Sequence, residues 1–154
     1  MARITIRQYP DPILREVCER VEVFDDVIDR LANDMLETMY LAGGRGLAAP
    51  QVGIPLQLFV MDPGWKYGTQ TPYVCVNPFV SALDDETRAF EEHCLSIPDR
   101  PVMVTRPTHV HLHWRDASDH IHDEELSGEA AVIAQHEADH LEGRLCIDYE
   151  TTDP

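Results

Sequence analysis

His136-Glu137-Ala138-Asp139-His140 sets two imidazoles four residues apart with an acid beside the first. On a helix, positions i and i+4 lie one turn apart on the same face. Two imidazole nitrogens so placed can hold one metal ion, and Glu137 can take the proton of a water that the ion activates. The spacing points to metal chemistry without fixing the reaction. A third ligand and a loop that shapes the substrate have to come from elsewhere in the chain.

The histidine pair needs a helix, and the sequence supplies one from about Gly128 to Leu141. Ile133, His136, Glu137 and His140 share one face of it, and the apolar Ile133 turns that face inward, toward a sheet. An earlier amphipathic helix is written in Phe24, Val27, Ile28, Leu31, Met35, Leu36 and Met39. Asp25 or Asp26 can cap its start, and Gly43-Gly44 ends it. Leu56 to Met61, Tyr73 to Val80 and His109 to Trp114 read as strands. Turns are expected at Pro63-Gly64, Asp84-Asp85 and Asp116 to Asp119. In the last strand Val110, Leu112 and Trp114 face the core, so His109, His111 and His113 form a solvated row. No βαβ rhythm is present, which makes the fold class α+β, with mostly antiparallel strands packed around the helix that carries the metal motif.

At 154 residues the chain is read as one domain spanning 1–154, with no repeat or linker to divide it. No apolar run reaches transmembrane length, and the first residues lack the apolar core of a signal peptide, so the expected compartment is the cytoplasm. The 28 acids against 12 bases give a formal charge of −16. A surface of that sign repels phosphate backbones, so no direct nucleic-acid binding is expected. Cys18, Cys75, Cys94 and Cys146 are scattered without metal-knuckle or disulfide spacing. Cys75 and Cys146 stand in apolar runs and read as small buried hydrophobes. Cys94 stands among polar residues and calls for another account.

Three separated segments supply it. They are Gly44-Arg45-Gly46-Leu47-Ala48-Ala49-Pro50-Gln51, Glu92-His93-Cys94-Leu95-Ser96, and Gln135-His136-Glu137-Ala138-Asp139-His140. In this order they resemble the peptide deformylases, metal-dependent hydrolases that remove the formyl group from N-formylmethionyl peptides. The resemblance runs along nearly the whole chain, from Tyr9-Pro10-Asp11-Pro12 through Val76-Asn77-Pro78 to the metal helix. It implies Cys94, His136 and His140 as ligands of one divalent ion. A thiolate with two neutral imidazoles leaves a fourth position open, as a catalytic site needs. Ferrous iron is the expected ion, and zinc, nickel or cobalt suits the same ligands. The resemblance also makes Glu137 the proton carrier and sets the Gln51 amide and the Leu95 N–H as donors to the formyl oxygen. Arg45, Gly46, Leu47, His93 and Glu129 are implied on the substrate side.

Some of these residues depart from the family's habit. His93 replaces a usual glycine, Arg45 a usual apolar residue and Glu129 a frequent leucine. Arg45 and Glu129 carry opposite charges on segments that the family brings together around the first side chain of the substrate. An ion pair between them is therefore expected there. The chain ends at Pro154 without the further helix that longer deformylases use at the ribosome, which leaves ribosome docking open. A zinc peptidase, a module that binds formyl-peptides or another ligand without catalysis, and a deformylase acting on N-formylated substrates other than formyl-methionine are the competing readings. The first would ordinarily use a third His or Glu as ligand, and the second would ordinarily have lost Glu137, Gln51 or a ligand.

Overall fold

The computed structural model describes residues 3–150. The ends of the chain, including the tail expected to lack a further helix, lie outside the described residues. Helix α1 (Asp26–Leu41) starts where expected, with the Asp25 carboxylate accepting the Val27 N–H at 3.0 Å. It stops before Gly43, whose φ of +73° only glycine adopts without strain. Strand β1 (Gly46–Ala48) follows, then β2 (Leu58–Met61) and β3 (Tyr73–Ala82). Next come β4 (Thr87–Cys94), β5 (Ile97–Pro107), β6 (His109–Arg115) and β7 (Ile121–Ser127), which leads directly into α2 (Gly128–Leu141).

Five strands form an antiparallel sheet in the order β1-β2-β3-β6-β7, while β4 and β5 make a separate hairpin. The alternation of β2 fixes the layers. Leu58 and Val60 pack with Ile28, Leu31, Met35 and Met39 of α1. Phe59 and Met61 point the other way and pack with Ala131, Ala134 and Leu141 of α2. All four are buried, so β2 is sandwiched between the helices and reads as a continuous apolar run. Leu14, Cys94, Ile97, Val102, Val104, Leu145 and Cys146 form a third apolar cluster under the hairpin. The fold is α+β with antiparallel sheets. Among the described residues no helix is long and apolar enough to cross a membrane.

The expected row of histidines faces outward, with Val110, Leu112 and Trp114 buried beneath it. β4, β5 and β7 are strands that hydropathy does not announce. Thr87–Cys94 buries only Glu92 and Cys94, β5 contains three prolines, and β7 is an edge strand with only Leu126 buried.

Candidate metal centre and active site

Glu92 and Cys94 alternate to the buried face of β4, and His93 turns to the other side. The hairpin thereby delivers Cys94 to the inner face of α2. Cys94 Sγ lies 3.5 Å from His140 Nε2, which lies 3.3 Å from His136 Nε2. All three ligand atoms are within 4.8 Å of one another and all three residues are buried. A tetrahedral ion with bonds of about 2.0–2.3 Å requires its ligands to be about 3.3–3.7 Å apart, so the trio has the spacing of a metal site. The charge balance agrees. Burial opposes protonation of His136, yet Glu137, Cys94 and Glu92 together raise its pKa well above the ordinary value. A divalent cation would neutralise that surplus of negative groups. Burial, aided by His136 and Arg106, drives His140 far below its ordinary value, toward the neutral form that ligates.

A chain of buried groups holds the trio. His136 Nδ1 meets Glu92 Oε1 at 2.8 Å, so the nitrogen facing Cys94 is Nε2. Arg106 donates twice to Glu92 and once to Asp139 Oδ2, at 3.0 Å for the last. The Tyr149 hydroxyl donates to the same Asp139 oxygen at 2.8 Å. Sequence reading missed Arg106 and Asp139 as partners. Glu92 carried a signal in its place two residues before Cys94 on one strand face.

Glu137 is buried beside the ligands, and its Oε1 has no hydrogen-bond partner among the described residues. Burial lifts its pKa to about 7, with His136 pulling the other way. Gly46 lies against it, since a Cβ there would overlap the Glu137 carboxylate and approach Ile133 Cγ2 to 2.9 Å. Gln51 is buried in the short turn after β1. Its Oε1 accepts the Ala48 N–H at 2.9 Å, which turns the amide nitrogen toward Ser96 Oγ at 3.0 Å and Cys94 Sγ at 3.7 Å.

These groups open onto a cavity of about 490 Å³. Gln51, Cys94, Leu95, His136 and Glu137 line it, together with Arg45, Gly46, His93 and Glu129. Leu47 is the exception among the residues expected at the substrate. Alternation along β1 sends its side chain into the core against α1, fully buried and away from the cavity. His93 lies at the rim, 70 % exposed and 3.1 Å from Glu91. The expected ion pair is present, with Arg45 Nη1 at 2.6 Å from Glu129 Oε2.

The polypeptide deformylase family matches residues 4–153. This chain belongs to that family. A peptide deformylase of Zymomonas mobilis is 44% identical over 97% of the chain and 86% of its own length. The crystal structure of a peptide deformylase from Thermotoga maritima superposes with a TM-score of 0.92, at 39% identity, covering 98% of this chain and 99% of that one. One from Plasmodium falciparum gives 0.90 at 36% identity over 96% and 86%. As a deformylase the protein is a hydrolase that removes the N-formyl group from peptides.

Proposed function

We propose that residues 1–154 act as one cytoplasmic catalytic domain built around α2. Packing of Ala131, Ala134 and Leu141 on the sheet, and bonds from Arg106 to Asp139 and from His136 to Glu92 of the β4–β5 hairpin, support that reading. Cys94, His136 and His140 would hold one divalent ion, ferrous iron first, with zinc, nickel or cobalt as substitutes. When bound, the ion polarises the formyl oxygen and lowers the pKa of water. The protein's own groups perform the rest. The Gln51 amide N–H and the Leu95 backbone N–H stabilise the charge that develops on the formyl oxygen. Glu137 accepts a proton from water and returns it to the departing amine. Gly46 and the backbone of Leu47 let an extended peptide lie close, between the loop before β1 and the end of β4, with His93, Arg45 and Glu129 at its borders.

The observation that carries this reading is the orphaned, buried Glu137 oxygen next to the three ligands in an open cavity. A structural metal site has no need of it. The substrate is an N-formylated peptide, and the charge of −16 argues against nucleic acid as a direct partner. The test is formate release from formyl-peptides by anaerobically purified, iron-loaded protein. Internal cleavage of unformylated peptides without formate would establish a peptidase instead.

A further inference from the structure

Arg45 and Glu129 stand at the edge of the cavity, and the hydrolysis itself needs neither. The helix fixes how far they are from the chemistry. Glu129, Val132, Ile133 and His136 stand at positions i, i+3, i+4 and i+7, along one face of α2. Seven residues at 1.5 Å each put Glu129 about 10 Å from His136 along the axis. Val132 and Ile133 fill the interval with hydrocarbon, and Phe90 adds a ring from β4.

In one pose with the formyl carbon of a peptide beside the ligands, the first side chain runs over Val132 and Ile133, which line the same cavity. From formyl carbon to Cα is about 2.4 Å, and an unbranched chain of four heavy atoms adds about 5 Å. Together these span about 7 Å, so the tip of a side chain as long as methionine comes within about 3 Å of the axial level of Glu129, inside the reach of the long Arg45 and Glu129 side chains.

The pair selects by the chemistry of that tip. One contact at 2.6 Å leaves Arg45 with N–H donors to spare and Glu129 with a second oxygen. A thioether or hydrocarbon tip displaces water from these groups and returns no hydrogen bond. A fully charged tip is attracted by one partner and repelled by the other. A neutral acceptor gains a charge-assisted bond from the guanidinium without that conflict.

We propose, on the reading of the site as a deformylase, that the Arg45–Glu129 pair directs the enzyme to N-formyl peptides whose first side chain ends in a neutral hydrogen-bond acceptor. The main such substrate is formyl-methionine sulfoxide. A peroxide transfers one oxygen atom to the methionine sulfur and is itself reduced to water or an alcohol. The side chain keeps its length and its thioether becomes a polar acceptor, so a formylmethionyl chain becomes this substrate with no change of sequence. The reaction remains hydrolysis. Water adds to the formyl carbon, the C–N bond breaks, formate and a free α-amine leave, and the sulfoxide is untouched.

The experiment compares kcat/KM by formate release from the metal-loaded enzyme. Four peptides, identical beyond the first residue, carry formyl-Met, formyl-Met sulfoxide, formyl-Gln and formyl-norleucine. The sulfoxide and glutamine peptides are expected to exceed the other two by about tenfold or more. Arg45→Ile with Glu129→Leu should invert that order and raise turnover of the norleucine peptide. Should that variant fold poorly, Arg45→Lys keeps the charge but loses the planar fork, and should narrow the sulfoxide advantage. A preference for Met and norleucine, equal in wild type and variants, overturns the proposal and leaves the deformylase reading standing. Absence of formate from all four peptides overturns both.

Discussion

Two buried glutamates flank His136 and are set to opposite tasks. Burial raises the pKa of Glu92, but the Arg106 guanidinium and His136 outweigh it and hold the carboxyl below the usual range, a fixed anion. Glu137 has no such donor, and burial lifts it to about 7, where a proton can come and go. Glu137→Gln should keep the fold and the metal and lose about 10²–10⁴-fold in kcat. A variant within a few-fold of wild type would remove Glu137 from the mechanism. Because the base works only when deprotonated, kcat/KM should fall as pH drops. A divalent cation nearby lowers the Glu137 pKa further, so that acid limb should lie at or below pH 7. Cys94→Ala should lose bound metal by elemental analysis, and undiminished content would take Cys94 out of the site. At this scale the sequence was informative where spacing is local, as in His136 to His140, while Glu92 stood in its motif without an assigned role. Arg106 is 14 residues from Glu92 and 33 from Asp139, and no periodicity links residues joined only by the folding of a hairpin onto a helix.

The β4–β5 hairpin is the element that couples stability to the site. It carries Cys94 at its end and Glu92 and Arg106 in its ladder, where Arg88 and Arg106 face each other across the strands. Arg106 and Glu92 are only 4% and 3% exposed. Removing one partner strands the other charge in the interior. Arg106→Met should therefore cost about 3–5 kcal/mol by denaturant unfolding. It should also weaken metal binding about 10–100-fold in chelator competition, because His136 loses its oriented carboxylate. A stable variant with unchanged affinity would show that His136 is held by its helix alone. The pH sign follows from Glu92. A carboxyl whose folded pKa is depressed adds stability above the usual carboxylate range, and that stability is lost as pH falls through the lowered value. The same hairpin shows where pattern fails. Helix α1 and strands β2, β3 and β6 carry their burial mostly in apolar residues, and α2 buries Ala131, Val132, Ala134 and Leu141 beside its His136, Glu137 and His140. β4 buries only a glutamate and a cysteine, which is too little apolar surface for an alternation to show.

Across the whole molecule 28 acids face 12 bases, so basic side chains cannot neutralise them all. Surface pairs such as Arg7–Asp11, Arg15–Asp148, Arg100–Glu150 and Arg115–Asp119 are half open to water. The last three each contribute about 0–1 kcal/mol. Against them stands a net charge of −16 on a 154-residue chain. A folded chain of that length has a radius of gyration of about 15 Å, and unfolding expands it to about 40 Å. At about 10 mM salt the screening length is about 30 Å, so every carboxylate of the folded molecule feels the others. The expanded chain escapes most of that repulsion, and folding therefore concentrates charge at a cost. Raising sodium chloride from about 10 mM to about 300 mM shortens the screening length below the molecular radius and removes much of the penalty. Scanning calorimetry of the metal-loaded protein should then show Tm rising with salt, steeply at the low end and flattening above about 0.1 M. Screening weakens local ion pairs too, so the two effects oppose each other and the sign decides between them. A Tm that falls with salt would mean that paired charges, such as the Arg7, Arg15 and Arg100 contacts, outweigh the surplus.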